Sequence, residues 1–188
     1  MRFFRYLALL VFFLDLPVPL YWFILHPFAN FWGTRVRAAF YLAGLGAWTA
    51  GGIFAFFFRN DLLAPGAPSL PFALLGVAPI VANAILLRRV GKDLGHMRLV
   101  GHAELTGKTD LVTVGIYRHI RHPRYAGMII SVAGACILAG TRWALTVSAI
   151  WLVLVVAVIF LEEREMRARF GSAYADYCRA VPRFLPRI

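Results

Sequence analysis

The chain has 188 residues, 61% of them hydrophobic and 15% charged, whereas soluble domains carry roughly a quarter charged residues; this excludes an ordinary soluble fold and points to an integral membrane protein. A net charge of +11, from 20 Lys and Arg against 9 Asp and Glu, reads in so apolar a chain as cations resting on an anionic cytoplasmic leaflet, not as a nucleic-acid surface. The two cysteines, Cys136 and Cys178, have neither CxxC spacing nor histidine partners at zinc-site intervals, so no disulfide framework or structural metal is expected.

A spanning helix needs about 20 apolar residues, and the first candidate covers roughly residues 3 to 25. Arg2 and Arg5 before an apolar run resemble a signal peptide, but no small-residue cleavage site follows, so the segment is expected to be retained. Pro17 and Pro19 interrupt it beside Asp15. Two readings stay open: a broken span, or a segment that dips in and returns. Asp15 itself either bonds backbone groups freed by the prolines or serves a site, as intramembrane ionisable residues commonly do.

The second candidate, residues 38 to 58, carries Ala39, Ala43, Ala47 and Gly51 at every fourth position, a smooth stripe suited to close helix packing. The third, residues 69 to 87, contains Asn83, expected to make an interhelical hydrogen bond. A short apolar stretch from Tyr125 to Gly140 is separated only by "TRW" from a fifth at residues 143 to 161, which predicts a tight antiparallel hairpin. The expected fold is thus all-α and integral to the membrane, with about five transmembrane helices. Basic residues favour the cytoplasmic side; an outside N-terminus places 16 of the 20 Lys and Arg there, at residues 35 to 37, 88 to 124 and 164 to 187, and makes the C-terminus cytoplasmic.

Polar residues concentrate at 88 to 125 and 162 to 188. "GIYRHIRHPRYAG", residues 115 to 127, holds three arginines and two histidines at the lip of an apolar run. Helical spacing would put Arg118, Arg121 and Arg124 on one face, and His119 with His122 on one face. Pro123 starts a helix well and disfavours helix at His122, so His122 is placed at a helix N-terminus that favours an anion. A metal at His119 and His122 is not expected, because no third ligand accompanies them and the arginines would repel a cation. Beyond the hairpin, Glu162 and Glu163 return to the same end, and residues 164 to 177 read as a continuing helix with Met166, Phe170, Tyr174 and Tyr177 on one face. A cation-binding pair would then oppose an anion-binding one. A ligand carrying both charges, such as S-adenosylmethionine, suits that arrangement.

"LVTVGIYRHIRHPRYAG", an apolar hairpin, then "EE" and "FGSAYADYCRAVPRFLP" resemble the isoprenylcysteine carboxyl methyltransferase family and its bacterial relatives, over about residues 91 to 188. The resemblance implies one membrane domain, with residues 1 to 87 forming helices one to three and residues 88 to 188 a cofactor-binding region with the final hairpin and a C-terminal helix. It implies S-adenosylmethionine as cofactor and a lipophilic or lipidated acceptor from the bilayer. Leu111, Val112, Gly115 and Tyr117 would wall the cofactor; Arg121, His122, Tyr125 and Gly127 would hold its amino-acid and ribose parts; Glu162 and Glu163 would complete the site. Arg183 and Pro186 match the family's ending, with Arg183 or an arginine of residues 88 to 98 orienting an acceptor carboxylate. Thr109 stands where the family often has a histidine, with Lys108 and His102 nearby. An amine acceptor would need a base, Glu163 or His122. The alternatives are a phospholipid or amine N-methyltransferase, an NADPH-dependent sterol-reductase-like enzyme with a related Arg-x-x-x-Tyr-x-Gly pattern, and a non-catalytic membrane component.

Overall fold

The computed structural model describes residues 2–25, 36–66, 68–94 and 110–186. His102, Lys108, Thr109 and Arg98 lie outside them, and so does the side chain of Ala39. Among the described residues every regular element is helical: α1 (Arg2–Asp15), α2 (Val18–Leu25), α3 (Val36–Phe57), the one-turn α4 (Arg59–Leu62), α5 (Leu70–Leu94), a 3-10 turn (Gly115–Arg118), α6 (Pro123–Ala139), α7 (Arg142–Phe170) and α8 (Ser172–Ala180). Four segments are long and apolar enough to cross a bilayer, Phe3–Leu25, Phe40–Phe57, Leu70–Leu94 and Arg142–Phe170; Pro123–Ala139 is a shorter apolar helix. The chain is an all-α, multi-pass integral membrane protein.

The first segment is one span with a break. Backbone bonds from Leu16 N to Phe12 O and from Tyr21 N to Pro17 O, both 3.0 Å, carry the helix up to and away from the break. Pro19 has no N–H to offer the carbonyl of Asp15 four residues earlier. The indole N–H of Trp151 donates to that carbonyl instead, at 2.9 Å. The Asp15 carboxylate accepts a hydrogen bond from Ser131 on α6. The small stripe of α3 packs on this span: Ala43 and Ala47 are buried, and a Cβ at Gly51 would lie 2.5 Å from Pro17.

The most extensive helix pairing is α5 against α6, and glycines make it possible. A Cβ at Gly134 would meet the Gly76 carbonyl at 2.4 Å, and one at Gly127 would meet Asn83 Oδ1 at 2.2 Å. Asn83 corrects its expectation: it is buried, but its Oδ1 has no hydrogen-bond partner, being pressed against the Gly127 backbone instead. The hairpin turn is shorter than expected. Gly140, at φ 67°, ends α6, and Thr141 caps α7 by accepting from Ala144 N. The Thr141 hydroxyl also donates to the Leu62 carbonyl at 2.8 Å, tying the turn to α4.

Candidate functional site

The site forms where α6 begins and α7 ends. Its first wall is the segment before α6, which is not the helix that the arginine spacing suggested. Gly115, at φ 60°, opens a 3-10 turn whose Ile116 N–H donates to Asp93 Oδ2 at 2.8 Å. Chain direction then changes through His119, and His122 caps α6 in a non-helical conformation with Pro123 at the first helical position. Arg118 and His119 therefore face solvent while Arg121 and His122 turn inward.

The C-terminal segment straps this stretch in place. Arg121 N donates to the Pro182 carbonyl at 2.9 Å and His122 N to the Arg183 carbonyl at 3.0 Å. Arg121 Nη1 donates to the carbonyls of Cys178 and Val181, and the Tyr177 hydroxyl to that of Tyr117 at 2.7 Å. The strap can reach because the expected continuous helix ends at Phe170: Gly171, at φ 54°, reverses the chain before α8. Met166, Phe170, Tyr174, Tyr177 and Val181 still meet in one apolar cluster with Leu111. Burial raises the hydroxyl pKa of Tyr174 and pushes that of Tyr177 up to about 12, so both are neutral donors at physiological pH.

Glu163 is the electrostatic centre of the assembly. It is fully enclosed, at 0% exposure. Its Oε1 accepts from Arg121 Nη2 at 2.9 Å and Arg183 Nε at 2.9 Å, and its Oε2 from Arg183 Nη2 at 2.8 Å and Arg167 Nη2 at 3.1 Å. His122 Nε2 lies 3.2 Å from Oε1. A carboxylate can only accept, so that nitrogen carries the proton. The hydrogen bonds that Arg183 donates to Glu163 hold its guanidinium in the charged form more firmly than usual.

Beside this hub opens a cleft. One side is Asp110, Leu111, Val112 and Tyr117; another is Arg121, His122 and Tyr125; the far wall is Glu162, Glu165, Met166 and Arg169, closed by Tyr174 and Tyr177. Tyr125 donates a hydrogen bond to Glu162 Oε1, and the other Glu162 oxygen is 4.0 Å from His122 Nδ1. Arg121 Nε is buried and has no partner.

Of the residues expected from the sequence, Leu111, Val112, Tyr117, Arg121, His122, Tyr125 and Glu162 line the cleft. Four do not. Glu163 lies beneath it, engaged by arginines, and Arg183 is spent on Glu163. Gly115 faces Asp93 and Gly127 faces Asn83; both are glycines because a neighbour sits where a Cβ would be. Sequence reading missed Asp110, Arg124, Glu165 and Arg169 as lining residues. A signal was available for two: Glu165 and Arg169 stand three and seven positions after Glu162, on the same helical face.

A model of the phospholipid methyltransferase family matches residues 72–173, which span α5 through the start of α8 and so contain most of the cleft. The chain belongs to that family. It is similar to protein-S-isoprenylcysteine O-methyltransferase B of Arabidopsis thaliana, with 33% identity over 120 residues, covering 59% of this chain and 57% of the relative. It is also similar to the protein-S-isoprenylcysteine O-methyltransferase of Schizosaccharomyces pombe (strain 972 / ATCC 24843), with 36% identity over 83 residues, 42% of this chain and 34% of that protein. The chain thus spans 57% and 34% of the lengths of these curated relatives. No solved structure matches.

Proposed function

We propose that the protein is an S-adenosylmethionine-dependent methyltransferase acting on a lipophilic, membrane-resident acceptor, with a carboxylate as the methylated group. The observation that carries this reading is the charge layout of the cleft: carboxylates on one wall, and on another a buried arginine nitrogen without an acceptor. The donor set fits the cofactor. Glu162 and Glu165 would face its positive charges, Arg121 Nε and the α6 N-terminus its carboxylate, and Leu111, Val112 and Met166 its flat base. When bound, S-adenosylmethionine supplies a methyl group made electrophilic by an adjacent sulfonium.

The protein's own share is positioning and exclusion of water. Tyr125 fixes the Glu162 carboxylate, and Glu163 fixes Arg121 and His122 without itself reaching the cleft. A carboxylate acceptor needs no base. A second reading, an amine acceptor, draws on the carboxylates in the cleft; there Glu162 and not the enclosed Glu163 would take the proton. The cation-rich end that holds the cleft and the C-terminal strap would face the cytoplasm, by the charge bias of membrane insertion.

The test is calorimetric titration of the detergent-solubilised protein with S-adenosylhomocysteine, for the wild type, Glu162→Gln and His122→Ala. Saturable binding that weakens at least about ten-fold in both variants is expected. A folded wild type that does not bind removes the methyltransferase reading. Labelled methyl transfer to a prenylcysteine carboxylate and to a phosphatidylethanolamine then separates the two acceptor readings.

A further inference from the structure

The arginines of the site are not equivalent. Arg121 and Arg183 are committed to Glu163, and Arg167 is bound to it from the outer side. Arg124 lines the cleft without touching that carboxylate. Its guanidinium lies over the Trp22 ring at 5.0 Å and over the Tyr125 ring at 5.3 Å. Trp22 is 1% exposed, hence a rigid platform. Asp15, also from the first span, interacts electrostatically with Arg124 and is held by Ser131.

This placement has a cost. A cation in the first turn of α6 opposes the helix dipole, and the two aromatic faces offset that by attracting the guanidinium. The outcome is a guanidinium preorganised at the rim of the cleft, where the first span meets α6. Three guanidiniums share the charge of Glu163, and Arg124 brings a further cation to a cleft whose carboxylates, Asp110, Glu162 and Glu165, come from other segments. An acidic group arriving from the bilayer would reach Arg124 before the buried hub.

We propose that Arg124, clasped by Trp22 and Tyr125, selects the acidic headgroup of the acceptor, so that the first span, outside the family match at residues 72–173, sets acceptor specificity. The inference rests on the cleft being a methyl-transfer site, and names the residue that receives the acceptor there. The ligand chemistry is a lipid-borne carboxylate, whether of a free long-chain acid or of a prenylated cysteine.

The full chain is placed in neutral-lipid nanodiscs, and binding of a brominated long-chain carboxylate is followed by tryptophan quenching. Its methyl ester is the control, and S-prenylcysteine with a free or esterified carboxyl is the competitor. The wild type is expected to prefer acid over ester by about ten-fold or more; Arg124→Gln should reduce that preference to within about two-fold, and Arg124→Lys should keep part of it. Competition by the free prenylcysteine, and not its ester, would identify the lipidated source; the reverse strength would identify the free acid. S-adenosylhomocysteine affinity, measured on the same samples, should change by less than about three-fold. The proposal is overturned if the wild type does not discriminate acid from ester, if Arg124→Gln retains the discrimination, or if that variant loses S-adenosylhomocysteine binding in parallel. A wild type that binds no S-adenosylhomocysteine but still prefers the acid through Arg124 would sink the methyltransferase reading and leave the headgroup assignment standing.

Discussion

Replacing Glu163 with glutamine keeps the shape of the side chain and removes its charge. Glu163 is fully enclosed and accepts bonds from three arginines and faces the proton on His122. The contributions differ by exposure. Arg167 and Arg183 have side chains 51% and 40% exposed, so water re-solvates them and each pair is worth about 0.2–1 kcal/mol. The Arg121 side chain is 8% exposed, and stranding a buried charge costs about 3–5 kcal/mol. The amide also turns an NH2 toward guanidinium donors that need an acceptor. The total is about 3.4–7 kcal/mol, which at about 2–4 °C per kcal/mol for a chain of this size lowers the melting temperature by about 7–28 °C. Tryptophan fluorescence during heating in detergent measures it. Glu162→Gln is the internal contrast: its side chain lines the cleft and is 18% exposed, so its melting temperature should stay within about 3 °C of wild type while S-adenosylhomocysteine affinity falls. A Glu163→Gln protein that melts within 2 °C of wild type, or a Glu162→Gln protein that melts lower than it, would refute the assignment of Glu163 to scaffold and Glu162 to site.

Three further outcomes follow from close contacts and one titration. Gly127→Ala sets a methyl 2.2 Å from Asn83 Oδ1 and should destabilise by about 1–3 kcal/mol, with Asn83→Ala restoring part of the loss in a double-variant melt. Trp151→Phe should cost about 1–3 kcal/mol by leaving the Asp15 carbonyl without a donor; in a Pro19→Ala background, where a backbone N–H can return, the same change should cost less. The neutral form of Tyr177 is favoured by folding, since its pKa rises from 10.0 to about 12. Its contribution to stability is therefore complete below pH 10.0 and lost as pH climbs through about 12. Tyr177→Phe should flatten stability across that window; an unchanged alkaline unfolding profile would contradict the burial of this hydroxyl.

The sequence alone determined the spans, because in hydrocarbon each segment must satisfy its own backbone and so must be a long apolar helix. It also determined that His122 and Pro123 mark a helix start, since proline constrains its own residue and the one before. Most of the cleft residues were legible through the resemblance of the "LVTVGIYRHIRHPRYAG" and "EE" stretches to a known family. The division of labour between Glu162 and Glu163 was not. Adjacent helix residues point about 100° apart, so which carboxylate enters the arginine hub and which faces the cleft depends on the rotation of α7 against α6 and the C-terminal strap. Gly115 and Gly127 looked like site residues in the motif, but Asp93 and Asn83, 22 and 44 positions earlier, decide their roles by close approach. The clasp of Trp22 on Arg124 joins residues 102 positions apart. Such pairings follow from helix rotation and crossing, quantities set by side-chain packing across the whole bundle and carried by no local stretch of sequence.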